Sequence, residues 1–426
     1  MKNIAVIGAG ITGTTTAYAL VTRGFNVTVF DQHRYAAMET SYANGGQLSA
    51  SNAEVWNNPS TIWKGLKWML KSDAPLLVNP KPSWHKISWF TEFLFNLGNY
   101  ERNTIATARL AVAAREHFFA WAQAEGIDFD LEKRGILHIY RSRKEFDNAG
   151  AVSRLLAAGG LSRRPVTPQE MRAIEPTLAG DYYGGYFTES DSTGDIHKYT
   201  NGLAAAAMRR GVKTLYSRQV LRLSSDGQRA KVIVRTHDDS IEGEDVLDFD
   251  AVVVCAGVRS RDFAAQLGDR VNVYPVKGYS ITVELGDTQS RGAAPYVSLL
   301  DDATKLVSSR LGPNRFRVAG TAEYNGYNKD IRADRIRPLV EWVNQCFPGV
   351  STRQYAAWTG LRPMMPDMLP RVGQGSHPNV FYNTGHGHLG WTLCAVTADI
   401  VAGVVEQAAQ GKGAVRSYTT KWSAPG

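Results

Sequence analysis

Three glycines, Gly8-x-Gly10-x-x-Gly13, stand directly after the apolar run Ile4-Ala5-Val6-Ile7 and open a helix-like stretch through Leu20. A second apolar run, Val27-Thr28-Val29-Phe30, then ends at Asp31, eighteen residues past Gly13. Strand, glycine turn, helix, strand and acid in that register describe the first half of a Rossmann-type dinucleotide-binding unit. Each glycine has its own task. Gly8 makes the tight turn, Gly10 lets a pyrophosphate approach the backbone, and Gly13 lets helix and strand pack closely. Amides around Gly10, Ile11 and Thr12, with the helix dipole, favour anionic phosphates. Asp31, with Gln32 and His33 following it, is expected to accept hydrogen bonds from an adenosine ribose, and an acid here disfavours a 2′-phosphate. The fingerprint by itself does not separate NAD from FAD.

A chain of 426 residues with 43% hydrophobic content is long enough for two domains. The expected fold class is α/β and α+β, a Rossmann-type domain interleaved with an antiparallel-sheet domain. Buried-strand patterns at 220–223, 232–236 and 251–256, a helix at 201–210 and a long apolar helix at 389–409 place 190–262 and 355–426 with the opening segment 1–60. Strand patterns at 135–141, 274–285 and 315–320, with helices at 104–125 and 334–346, place 61–189 and 263–354 in the second, substrate-binding domain.

Net charge is +8, but no run of Lys and Arg reaches five, so a nucleic-acid role has only the overall charge behind it. The three cysteines, Cys255, Cys346 and Cys394, show no CxxC spacing, which indicates neither a disulfide framework nor a zinc site. His386-x-His388 lacks the further ligands a metal requires, and no metal is expected. No secretion signal and no uncharged apolar run of ~18 residues is evident, which points to a cytoplasmic protein.

Five blocks carry a resemblance: Glu39-Thr40-Ser41-Tyr42-Ala43-Asn44-Gly45-Gly46-Gln47, Asp191-Ser192-Thr193-Gly194-Asp195, Tyr274-Pro275-Val276-Lys277-Gly278-Tyr279-Ser280, Trp358-Thr359-Gly360-Leu361-Arg362-Pro363-Met364-Met365-Pro366-Asp367, and Asn383-Thr384-Gly385-His386-Gly387-His388-Leu389-Gly390-Trp391-Thr392. In type and order they resemble the bacterial D-amino-acid dehydrogenases, within the wider D-amino-acid oxidase and dehydrogenase superfamily. The segment 64–69 resembles that family too. The resemblance implies FAD, with the site closed by the late strand that ends in Ala256 and Gly257 and by Val220. It implies flavin contacts from Thr40, Ser41, Ala43, Asn44, Gly45, Gly46 and Gln47, whose small, hydroxyl and amide groups suit a flat heterocycle. The turn of Gly385, His386, Gly387, His388, Leu389, Gly390 and Thr392 precedes a long helix, whose dipole would stabilise negative charge on the reduced ring. At position 388 the family usually has a smaller residue.

The same resemblance makes Arg362 the clamp for a substrate carboxylate, which a planar guanidinium binds bidentately. The alternative is a structural arginine paired with Asp367 or Asp31. Tyr279 and Tyr324 are candidates for phenolic hydrogen bonds to that carboxylate, or for packing; the family commonly carries an aliphatic residue at position 324. The implied reaction is hydride transfer from Cα of a D-amino acid, giving a 2-oxo acid and ammonia. No cysteine lies near the Arg362 motif, so FAD is expected to be noncovalent. Related oxidases place a lysine on a strand corresponding to 315–320, which here reads Phe316-Arg317-Val318-Ala319. That favours electron transfer to a quinone or other carrier. The alternatives are an oxygen-using oxidase of glycine, sarcosine or a proline derivative, and a flavin-binding subunit of a hetero-oligomer. Trp63, Trp68, Trp84 and Trp89 with Lys64, Lys67, Lys71, Lys81 and Lys86 suggest peripheral contact with an anionic membrane, the other reading being an ordinary domain cover.

Overall fold

The computed structural model describes residues 1–59, 75–236 and 243–411. A six-stranded sheet runs in the order Arg371–Gln374, Val380–Thr384, Ala251–Val254, Asn3–Ile7, Asn26–Phe30 and Lys213–Leu215. All neighbours are parallel except the first pair. The period-2 geometry of a strand sorts Asn3–Ile7 between two cores. Ile4 and Val6 pack with the helices Ile11–Val21, Ile196–Arg209 and Gly390–Ala409. Ala5 and Ile7 pack with the three-stranded antiparallel sheet Arg218–Ser225, Ala230–Thr236 and Glu244–Phe249.

The helix Ile196–Arg209 begins five residues before the expected 201–210. Asp195 caps it, its carboxylate accepting from the amides of His197 and Lys198. Gly390–Ala409 has the length and composition of a membrane span, yet 72% of its most apolar window is buried within the protein. It is a core helix, apolar all round because neighbours cover it.

Nine described strands form the second sheet. It is antiparallel apart from two parallel pairs, Ile136–Tyr140 with Ser298–Asp301 and Leu76–Val78 with Arg315–Tyr324. Helix Ala333–Cys346 covers one face, packing Ile336, Leu339 and Trp342 against Tyr279, Ile281 and Val283. The boundary expected at 355 is corrected: Tyr355–Met364 pairs with Tyr274–Glu284 over ten residues, so this sheet and not the parallel one holds Arg362. The chain rejoins the parallel sheet at Arg371–Gln374.

Candidate active site

One large cavity, about 1060 Å³, opens along the junction of the two sheets. Ordinary small-molecule pockets run to roughly 300–1,000 Å³, so there is room for a dinucleotide and a substrate together. Gly8, at φ +103, turns the chain beneath the carbonyl of Cys255, where a side chain would stand 2.7 Å from that oxygen. A methyl group on Gly13 would stand 1.8 Å from the Gly8 carbonyl oxygen. Gly10, Thr12, Asp31, Gln32 and His33 line this end. The Asp31 carboxylate accepts from the amides of Ala9 at 2.7 Å and His33 at 2.8 Å, and burial raises its pKa. It therefore holds the glycine turn and faces the cavity at the same time. The amide of Ile11 donates to Ser41 Oγ at 3.0 Å, which ties the start of the first helix to the next cavity-lining loop.

In the middle of the cavity the wall is again backbone and small residues. Gly45 lies so close to Val307 that a side chain would meet it at 2.6 Å, and Gly46 has φ +73. Thr40 Oγ1 donates to Leu361 O and Asn44 Oδ1 accepts from Gly46 N. Gln47 donates to the carbonyls of Leu299 and Ser308, so its amide nitrogen serves the second sheet. Opposite stands the short turn Gly387–Leu389 and the start of Gly390–Ala409, which has no side-chain cap. Gly390, Trp391 and Thr392 at that start line the cavity, which brings the uncapped N-terminus of a 20-residue helix to its wall.

Both histidines of this turn are neutral in the fold. Burial pushes His386 down to about 3 and His388 to about 4. His386 Nε2 meets Thr397 Oγ1 at 2.9 Å, while His388 Nε2 lies 3.1 Å from the carbonyl of Asn52. A carbonyl only accepts, so the His388 proton sits on Nε2. The His388 ring stacks on Trp56 at 5.1 Å. Among the described residues no group of three or more metal-ligating side chains occurs.

Arg362 reaches the cavity from Tyr355–Met364, the edge strand of the second sheet. Its Nη1 donates to Thr321 O at 2.8 Å, and burial lowers its pKa to about 10. Asp31 is engaged as above, and Asp367 accepts from the amide of Leu369, so neither acid pairs with the guanidinium. Gly278 makes room for it: a Cβ there would lie 2.5 Å from the guanidinium. A buried cation held by carbonyls and facing an open cavity calls for an anion from outside the chain.

Comparison with known proteins gives this cavity its chemistry. Residues 3–404 match the family model for FAD-dependent oxidoreductases. The chain belongs to this family. It is 58% identical over 406 residues to D-amino acid dehydrogenase 3 of Mesorhizobium japonicum, covering 95% of this chain and 97% of that one. It is 39% identical to D-amino acid dehydrogenase of Dechloromonas aromatica, covering 94% and 96%. In fold it is similar to glycine oxidase from Geobacillus kaustophilus, with TM-score 0.74, 18% identity and coverage of 98% and 97%. L-proline dehydrogenase from P. horikoshii is similar too, with TM-score 0.74, 15% identity and coverage of 99% and 96%.

The cavity of this FAD-dependent oxidoreductase fits its cofactor on structural grounds. Gly8, Gly10 and Gly45 leave uncovered backbone where a Cβ would fill the cradle or crowd its wall, and the helix start supplies amides for a diphosphate. Val220, Ala256 and Gly257 close one side; Ser41, Ala43, Gly385, Leu389, Gly390 and Thr392 line the middle. Gly13 packs against Gly8 in the close approach expected of it, and supports the cradle without lining the cavity itself.

Two tyrosine expectations are corrected. Tyr279 lines the cavity, but its hydroxyl donates to Glu323 at 2.8 Å inside a buried group completed by Lys277. Tyr324 does not line the cavity; it packs in an aromatic cluster with Trp89, Phe90 and Tyr274. Strand alternation explains both, because register decides which face a strand residue takes and local sequence does not reveal it. Strand Arg315–Tyr324 has no lysine, yet the neighbouring hairpin turn places Lys305 in the cavity wall.

Sequence reading missed a whole compartment. Glu54, Trp56, Tyr100, His138 and Lys305 line the cavity, together with Arg218 beside Val220. Lys305 holds φ +56 between two strands, a backbone state that favours glycine and that its residue type does not announce.

Proposed function

We propose that this flavoenzyme oxidises a D-amino acid at Cα, giving an imino acid that water converts to a 2-oxo acid and ammonia. The observation that carries this reading is the Arg362 guanidinium, buried on the cavity wall without an acidic partner among the described residues. The substrate class comes from the named relatives, at 58% and 39% identity. Noncovalently bound FAD supplies the hydride acceptor. Arg362 binds the substrate carboxylate and fixes Cα, while the buried walls exclude water from the reacting carbon. The start of Gly390–Ala409 stabilises negative charge that develops during reduction. Cofactor binding is assigned to 1–60 and 190–262 with the chain from Arg371 onward, and substrate binding mainly to the large sheet.

The test is an anaerobic spectroscopic screen of the purified yellow protein against D- and L-amino acids, glycine, sarcosine and hydroxyprolines. Bleaching by D-enantiomers is the expected result. Bleaching only by glycine or sarcosine, with oxygen consumption, would assign the oxidase reading instead, and no bleaching at all would leave a flavin-binding subunit.

We infer that electrons leave to a quinone at the cytoplasmic face of a membrane, which the chain touches through helix Trp84–Phe95. Trp84 and Phe95 are 78% and 81% exposed, and Ile87 and Leu94 share that outer side. Trp89 and Lys86 do not belong to this surface: the Trp89 indole donates to Met364 O, and Lys86 is buried on backbone carbonyls. Trp63, Trp68, Lys64, Lys67 and Lys71 lie outside the described residues. Co-sedimentation with anionic vesicles at low salt, lost in Trp84→Ser/Phe95→Ser, is the expected result; retention by the double variant removes this face.

A further inference from the structure

The compartment beyond Arg362 contains a second ionisable group that makes no ion pair among the described residues. Glu54 follows the short turn Ala50–Asn52 and lines the cavity, with Tyr100 donating to its Oε1 at 2.6 Å. The two described cations that act on it are hydrogen-bonded elsewhere. Lys305 pairs with Asp302, and the Arg163 guanidinium donates to Ser153 Oγ and to Ala149 O. Both act on Glu54 only through space, and burial raises its pKa. The wall between these groups is connected. The His388 ring lies near enough to Arg362 for that charge to help lower its pKa, and it stacks on Trp56, two residues from Glu54.

Among the described residues, Arg362 and Glu54 both line the cavity and are hydrogen-bonded to neutral groups only. Burying a charge without a counter-charge is strongly unfavourable, so each is satisfied when a ligand supplies the opposite sign. A free amino acid carries both. Resting on the amino-acid reading above, we propose that Glu54, oriented by Tyr100, binds the cationic amine of the substrate while Arg362 binds its carboxylate. Two sources share that ammonium chemistry, the α-amino group of any substrate and the side chain of a basic one.

Three ligands without a hydrogen on Cα separate the outcomes, because none of them can be oxidised. They are 2-aminoisobutyrate, its amine-free isostere pivalate, and α-methylornithine. Their Kd values are measured calorimetrically on FAD-loaded wild type, Glu54→Gln and Glu54→Asp. In Glu54→Gln, 2-aminoisobutyrate is expected to weaken by about tenfold or more, since a hydrogen bond to a charged group contributes roughly 1.5–3 kcal/mol. Pivalate should bind equally well or more tightly, and Glu54→Asp should lie between wild type and Glu54→Gln. Weakening of α-methylornithine alone assigns Glu54 to a basic side chain. Equal weakening of pivalate, or unchanged affinity of both amines in both variants, overturns the assignment. A wild-type enzyme that oxidises no amino acid would defeat the proposed function separately, with these affinities still measurable.

Discussion

At the glycine end of the cavity a ligand meets backbone; at the arginine end it meets charged side chains. Gly8, Gly10 and the start of the first helix offer amide groups, and the local acid, Asp31, is occupied with holding their turn. Arg362 and Glu54 instead present ionisable groups to the cavity that are hydrogen-bonded only to neutral neighbours among the described residues. The first construction suits a large ligand that stays, because backbone geometry is rigid and needs no titration. The second suits a small ligand that comes and goes, since only that ligand completes the charges. Catalysis then takes place where a permanently shaped wall meets a wall completed by the substrate.

The largest expected effect strikes the backbone end. Gly13→Ala places a methyl group 1.8 Å from the Gly8 carbonyl, so the turn and helix must separate. The purified variant should lose most of its FAD, read as the ratio of flavin to protein absorbance. Normal flavin content would mean that the glycine end tolerates movement and the contrast is false.

Next comes Arg362→Lys at the charged end. A point charge replaces a two-donor fork, and kcat/KM should fall by about a hundredfold or more while flavin content stays normal. Loss of FAD together with activity would show that Arg362 serves both ends.

Tyr279→Phe sharpens the boundary between the ends. Its hydroxyl belongs to Glu323, so the change should lower stability by about 1–3 kcal/mol through an unsatisfied buried carboxylate. KM should remain within about twofold of wild type, as expected when an altered group makes no substrate contact. A large rise in KM with unchanged stability would return Tyr279 to the substrate site.

The smallest effect concerns pH. Folding lowers His388 to about 4 through burial, so the unfolded chain binds a proton that the folded chain refuses between about pH 6.5 and 4. The stability contributed by keeping this histidine neutral is present above pH 6.5 and is lost as pH falls through that window. Glutamine cannot titrate, so in His388→Gln the melting temperature should fall less steeply from pH 6.5 to 4 than in wild type. Parallel slopes would show that His388 titrates alike in both states.

The difference between the ends also explains what was legible. Gly8, Gly10, Gly13 and Asp31 lie within 24 residues, and their spacing reflects a local demand of turn and helix geometry, so sequence alone determined the first βαβ unit and the place of a dinucleotide. The arginine of Trp358-Thr359-Gly360-Leu361-Arg362 was recognisable by resemblance. Its freedom from Asp367 and Asp31 was decided only by the fold, which engaged both acids with backbone amides. Tyr279 and Tyr324 looked equivalent in sequence, but one hydroxyl found Glu323 and the other ring joined an aromatic cluster. Glu54, Tyr100 and Lys305 come from a turn, a helix start and a hairpin separated by 46 and 205 residues, and no local periodicity links them. Backbone geometry is set by neighbours along the chain and so can be read from sequence; an uncompensated charge is defined by everything packed around it, which only tertiary structure supplies.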